Sequence, residues 1–233
     1  KKILKIKKSI KNNLFLYNLL INFRDKLRII YNQKRRSRFF WNLRDGDNKL
    51  SFNYPLSEES IFFDVGGHLG NFSKKIIEKF DCKVYIFEPV EENFQILKNN
   101  LKQNEKVKFY QAALLDFDGE SYISELGASS SLYNREEGET GSKVAVKSFN
   151  TIVEEENLNS IDLVKMNIEG SEYDLLNHII DTGNIKIIKH LQIQFHNFVD
   201  DAKGNRDQIR KKLNLTHVNK YNFPFIWERW DLR

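Results

Sequence analysis

From Ser60 onward, short apolar runs alternate with segments of helical period. Ile61-Phe62-Phe63-Asp64-Val65 reads as a buried strand that breaks into Gly66-Gly67-His68-Leu69-Gly70. Asn71 to Phe80 places Phe72, Ile76, Ile77 and Phe80 on one helical face. Lys83 to Phe87 is the next strand, closed by Glu88-Pro89, and Glu91 to Leu101 is a second helix built on Phe94, Leu97 and Leu101. A third strand is predicted over Val107 to Ala112. This β-α-β-α-β run predicts a parallel sheet covered by helices. Asp116 to Ser148 is polar and glycine-bearing, with short edge strands expected at Glu120–Ser124 and Lys143–Ser148 around the loop Gly127 to Ser131. Ile161 to Ile168 is a fourth core strand, Glu172 to Ile180 its helix, and Ile185 to Phe195 holds a fifth strand. A helix from about Arg206 to Leu213 follows. Thr216–Asn222 and Phe225–Asp231, parted by Phe223-Pro224, read as a hairpin. The predicted class is therefore α/β, mostly parallel, with a C-terminal antiparallel hairpin.

The region before this body differs in kind. Residues 1–44 hold 14 Lys/Arg against one acid, Asp25, whereas the remaining residues hold 23 bases and 31 acids. Ile3, Ile6, Ile10, Leu14, Tyr17 and Ile21 recur at helical spacing, and Phe23, Leu27 and Ile30 repeat the pattern before Lys34, Arg35, Arg36 and Arg38. The division is a basic helical extension over residues 1–50 and a domain over 51–233. Three readings of the extension stand: an amphipathic contact with an anionic membrane, a homodimer contact through its helices, or a helical cap on the acidic body. Nucleic acid is disfavoured because no base-reading motif accompanies the charge. The longest mainly apolar run, Leu14 to Phe23, is half the length that spans a bilayer. A lone cysteine, Cys82, excludes an intramolecular disulfide and a multi-cysteine zinc site, so a reducing, cytoplasmic setting is expected, peripheral to a membrane if the extension docks there.

A glycine-rich turn between strand and helix lets backbone N–H groups approach a ligand. The spacing is Asp64-x-Gly66-Gly67-x-x-Gly70. A carboxylate two residues before the first glycine would repel a pyrophosphate, and it suits a cofactor with an ammonium group instead. S-adenosylmethionine meets that description. Glu88, at the end of the second strand, is placed to accept hydrogen bonds from ribose hydroxyls, a feature shared with NAD-binding folds. A reversed final strand favours the methyltransferase sheet over the dinucleotide one. The cofactor set is Asp64, Gly66, Gly67, His68, Gly70, Glu88, Pro89 and Ala112, all at the ends of the first three strands.

The stretches Phe63-Asp-Val-Gly-Gly-His-Leu-Gly-Asn71, Phe87-Glu-Pro89 and Asp162-Leu-Val-Lys-Met-Asn-Ile-Glu-Gly-Ser-Glu172 resemble the FkbM family of S-adenosylmethionine-dependent methyltransferases. The resemblance spans about residues 58–197. It implies a class I, Rossmann-like methyltransferase fold and O-methylation of sugars or related hydroxylated products. This chain has Asn167 where the family has Asp, His68 where it has Asn, and Gln194 where it has Glu. Two of these exchanges replace a carboxylate with an amide, which weakens any metal site, and no metal is assigned. Ser130 and Ser131 resemble the family's serine-containing substrate loop.

Transfer of a methyl group to a hydroxyl needs a base near the acceptor. His196 follows the fifth strand, at the carboxyl edge where open α/β sheets bind ligands. Its ordinary pKa suits neutral pH. Asn167 and Glu169 end the fourth strand, so the catalytic set is His196, Glu169 and Asn167, and the substrate set is Ser130, Ser131, Lys165 and Glu172. Glu172 has an alternative role as a helix N-terminal acid. Trp227 and Trp230 are expected in the core rather than as a sugar platform. The leading function is an O-methyltransferase acting on a sugar or glycan precursor. Alternatives are an N-methyltransferase of a small amine, a cofactor-binding but silent partner subunit, and a dehydrogenase.

Overall fold

The computed structural model describes residues 32–101, 104–124 and 141–233. Residues 1–31 and the loop carrying Ser130 and Ser131 lie outside the described residues. The chain opens on helix α1 (Gln33–Leu43), capped by Asn32, whose side chain accepts from the Arg35 N–H, and a short turn at Gly46–Leu50 follows. The body then runs β1 (Ile61–Val65), α2 (Asn71–Phe80), β2 (Lys83–Phe87), α3 (Glu91–Leu101) and β3 (Val107–Tyr110). Next come β4 (Ala113–Leu115), β5 (Gly119–Ser124), β6 (Gly141–Ser148), α4 (Phe149–Glu155), β7 (Ile161–Met166) and α5 (Glu172–Asp181). It closes with β8 (Ile188–Ile193), α6 (Ala202–Leu213), β9 (His217–Phe223) and β10 (Trp227–Leu232).

Seven strands form one sheet in the order β3-β2-β1-β7-β8-β10-β9. The first five pair in parallel, and β10 is antiparallel to both neighbours, so it alone runs against the rest. The sheet is the class I methyltransferase arrangement expected from the hairpin. Both of its faces are covered, which is why β1 and β2 carry near-continuous apolar residues. Phe63, Val65, Tyr85 and Phe87 point to the side where α5 contributes Leu175, Leu176 and Ile179. Phe62, Val84 and Ile86 point to the other, against Ile76 of α2 and Leu97 of α3. The strand period of two thus divides one run of apolar residues between two cores.

The structure departs from the sequence reading in four features. The third strand stops at Tyr110, and the chain leaves the main sheet across Gln111-Ala112. Ala113–Leu115 then starts a separate three-stranded sheet, order β4-β6-β5, so the two expected edge strands belong to a sheet of their own. Helix α4 was not expected, although its signal is local: the Ser148 hydroxyl accepts from the Asn150 N–H and caps a turn that buries Phe149 and Ile152. Helix α6 starts earlier than Arg206, because the Asp201 side chain caps it by accepting from the Gly204 N–H.

The described part of the extension is built into the body. Trp41 of α1 is fully buried against Phe223, Ile226 and Trp227 of the hairpin, and its indole N–H donates to Asp47 at 2.8 Å. Among the described residues, no helix is long and apolar enough to cross a membrane.

Candidate active site

A cavity of about 430 Å³ opens at the carboxyl ends of β1, β2 and β7, a volume in the range of small-molecule sites. Its floor is the glycine turn after β1. Gly66 sits at φ +82°, and a Cβ there would lie 2.2 Å from the Asn167 carbonyl oxygen. A Cβ on Gly67 would lie 2.3 Å from the Ile86 side chain. Only glycine lets this loop sit so close to its neighbours. His68, on the same wall, is also left-handed at φ 49°. Gly70 ends the turn as the residue before α2, also left-handed.

Glu88 is buried next to this turn, beside Pro89 and Val90. Its Oε2 accepts from the His68 N–H at 2.8 Å and its Oε1 from the Val90 N–H at 3.0 Å. Burial raises the Glu88 pKa, against the opposing pull of the Val90 and His68 N–H groups. The carboxylate is thereby held in place, with the Asn93 side chain as a third hydrogen-bond partner, and acceptor capacity remains for a hydroxyl. Asn93, Leu114, Leu115 and Ile123 line the same part of the cavity, and none of them was singled out from sequence. Ala112 is buried outside this lining, which begins one residue later at Ala113.

Asp64 occupies a different place from the one its spacing suggests. It is fully buried and does not line the cavity. Its Oδ2 accepts from the Ser73 hydroxyl at 2.6 Å and its Oδ1 from the Lys165 ammonium at 2.8 Å. Lys165 also donates to the Gly66 carbonyl at 2.8 Å. The expectation of a bare carboxylate facing a ligand is corrected: Lys165 neutralises Asp64, and the pair braces the glycine turn from behind. Lys165 also lines the cavity, where its ammonium has one N–H beyond the two that serve the brace.

The far wall is formed where β7 turns into α5. Asn167, Ile168 and Glu169 line the cavity, and Glu169 has left-handed backbone at φ 51°. Such a conformation is strained for a non-glycine residue and recurs at functional sites. Asn167 Oδ1 is buried without a hydrogen-bond partner. His196 lies behind this wall, buried, and does not line the cavity. Its Nε2 is 3.3 Å from Glu169 Oε2, and its Nδ1 is 2.8 Å from Glu172 Oε1. Burial lowers the His196 pKa, but hydrogen bonding and charge from Glu172, then the charge of Glu169, outweigh it and hold the pKa above the ordinary value.

Glu172 is fully buried and accepts from the Ile168 N–H at 2.8 Å and the Gly170 N–H at 3.0 Å. Its assignment to the substrate set is therefore corrected: it organises the β7–α5 turn and orients His196. Gln194 places its amide nitrogen 3.3 Å from His196 Nε2. Trp230 is fully buried as expected, whereas Trp227 packs with Trp41 and also lines the cavity. Among the described residues, no group of three or more acidic, histidine or cysteine side chains is placed to hold a metal ion.

The fold and this cavity define a class I methyltransferase. The family description "Methyltransferase FkbM domain" matches residues 64–225, most of the chain, and the chain belongs to that family of S-adenosylmethionine-dependent methyltransferases. No curated protein matches the chain. Its fold is similar to that of a candidate rRNA methylase from Clostridium thermocellum, with TM-score 0.50, 8% identity, and 82% of this chain covering 94% of that one. It is also similar to a candidate methyltransferase from Streptococcus mutans in complex with SAH, with TM-score 0.48, 12% identity, and 76% of this chain covering 91% of that one. The residues present fit the cofactor. The glycine turn admits close backbone approach, Glu88 has acceptor capacity for ribose hydroxyls, and the unpartnered Asn167 oxygen would accept from a donor such as the ammonium group.

Proposed function

We propose that the chain is an O-methyltransferase acting on a hydroxyl of a sugar or glycan precursor. The observation that carries the reading is the Glu169–His196–Glu172 string, which reaches the cavity at its Glu169 end. When bound, S-adenosylmethionine supplies a methyl group already activated on a sulfonium, so the protein's task is to align the acceptor and remove its proton. Glu169 stands on the wall to take that proton. Glu172 accepts from His196 Nδ1–H, which leaves Nε2 unprotonated in neutral histidine and turned toward Glu169. The proton then has a place to go, from the Glu169 carboxyl to His196 Nε2. In this role His196 stands behind Glu169 rather than touching the acceptor.

Gln194 deepens the arrangement. It places a neutral amide 3.3 Å from Nε2, where a carboxylate would add to the charge that favours the imidazolium. Asn167 is then a neutral positioning group, and Trp227 offers an aromatic surface suited to the carbon face of a sugar ring. The test is methyl incorporation into a panel of sugar nucleotides and glycan precursors, with small amines and rRNA fragments as comparison arms. Incorporation into a hydroxyl acceptor that falls by at least about 100-fold in Glu169→Gln supports the reading, that being the low end of general-base catalysis. Methylation of amines or rRNA alone, or binding of S-adenosylhomocysteine with no turnover on any arm, would reject it.

A further inference from the structure

Helix α1 carries apolar residues on two faces. Ser37 and Trp41, spaced i and i+4, are buried, Trp41 against the hairpin. Phe39, Phe40 and Leu43 are exposed by 48%, 46% and 71%. With Arg36 they occupy positions i, i+3, i+4 and i+7, which on an α-helix is a single stripe. That stripe lies on the side of the helix away from Ser37 and Trp41. Phe39 and Phe40 meet edge to face, with ring centroids 5.4 Å apart, so the stripe is a contiguous apolar surface. Arg35 and Arg38 flank it, exposed. Every ionisable residue of the helix is basic, and Arg44 follows at its end.

We propose that this outer face of α1 docks on an anionic phospholipid bilayer, with Phe39, Phe40 and Leu43 entering the headgroup boundary and Arg35, Arg36 and Arg38 meeting lipid phosphates. Charge decides between the occupants such a face could have. Residues 1–31 of this chain carry nine bases and one acid, so covering the stripe with that segment would bring like charge onto like charge. A second copy of α1 would do the same, setting its arginines against those of the first. An anionic surface is the partner that accepts both the apolar stripe and its basic flanks, the combination that seats amphipathic helices in a membrane interface. The segment of residues 1–31 adds its own positive charge to the same attraction.

The position of α1 links this surface to the cavity rim. Lys34 at the start of α1 donates to the Asn197 side chain at 3.3 Å, one residue beyond His196. Trp41 packs with Trp227, which lines the cavity. A bilayer holding α1 would therefore hold the elements around the acceptor wall at a fixed distance from the lipid surface.

Sedimentation of the full chain with vesicles of phosphatidylglycerol and phosphatidylcholine tests the proposal against vesicles of phosphatidylcholine alone. Binding is expected to the anionic vesicles only. Combined Phe39→Ser, Phe40→Ser and Leu43→Ser should lower partitioning at least about tenfold, since apolar burial supplies part of the attraction. Combined Arg35→Gln, Arg36→Gln and Arg38→Gln should lower it on the order of 100-fold, from the contribution of each basic residue near an anionic surface. Both variants should bind S-adenosylhomocysteine as the parent does, which shows that they are folded and keeps this test separate from that of the catalytic reading. Serine-variant partitioning within about twofold of the parent would overturn the proposal, because the stripe would then be idle. A dimer that the serine variant abolishes, or an RNA oligomer whose binding depends on the stripe while vesicles are ignored, would overturn it in favour of that other partner.

Discussion

Two buried acid–base groups flank the same cavity, and they are built differently. Asp64 and Lys165 form a closed pair: both carboxylate oxygens and the ammonium are engaged, and the pair holds the glycine turn. Glu169, His196 and Glu172 form a string in which the inner carboxylate is fully buried and the outer one reaches the cavity wall. The difference separates a brace from a working group. In the pair both carboxylate oxygens are taken by Ser73 and Lys165 behind the glycine turn, whereas a histidine held at one nitrogen and facing a cavity-wall carboxylate at the other can pass a proton.

The sharpest way to break this contrast is to remove the acid at the open end. Glu169→Gln should lower the single-turnover rate by about 10²–10⁴, the usual worth of a general base, while leaving S-adenosylhomocysteine affinity within about twofold. A loss of both rate and affinity would instead place Glu169 on the cofactor.

The closed pair should respond in stability. Lys165→Met keeps most of the side-chain volume but leaves the Asp64 carboxylate buried without its cation. A loss of about 3–5 kcal/mol is expected, the range for breaking one side of a buried ion pair, read from urea denaturation midpoints. Glu169→Gln, at a cavity-wall position, should shift the same midpoint far less. Equal losses in the two variants would mean that Glu169 and Lys165 brace the fold alike.

Which of these features were legible follows from how far apart their partners lie in the chain. The glycine turn and Glu88 are local signals: a strand, a fixed glycine spacing and an acid at the next strand end. The alternation of strands and helices and the reversed last strand likewise follow from short-range periodicity. The brace does not, because Asp64 and Lys165 are 101 residues apart and meet only because β1 pairs with β7 in the register that sets them side by side. A shift of one residue would have turned the lysine to the other face. Glu172 misled for a related reason, since an acid at a helix start looks like an N-terminal charge until the fold brings His196 against it. The second small sheet was hidden because Val107 to Leu115 reads as one mainly apolar run, although only its first half stays in the main sheet.

The cofactor wall supplies a smaller effect. Glu88→Ala should weaken S-adenosylhomocysteine binding by about 1.5–3 kcal/mol, the scale of hydrogen bonds to a charged acceptor. Calorimetry measures it directly. Affinity unchanged within about twofold would remove Glu88 from the cofactor site and undercut the assignment of this wall.

The subtlest effect is the pH dependence of the open string. His196 has a raised pKa in the folded chain: burial opposes the imidazolium, but Glu172 and Glu169 favour it more. Lys34 acts in the same direction as burial. Protonated His196 donates from Nε2 to Glu169 and has no room for another proton, so the string cannot work in that state. The single-turnover rate should therefore rise with pH, through an inflection above the ordinary histidine value of about 6.5. Stability has the opposite sign: a raised folded pKa stabilises the fold fully below the unfolded value, and that contribution fades as pH rises through the folded pKa. Rate and stability should thus move in opposite directions across the same window. Glu169→Gln should move the stability transition downward by removing one of the charges that favour the imidazolium. His196→Gln should remove the transition itself. A stability transition that persists in His196→Gln would assign it to another group and leave the string without its proton carrier.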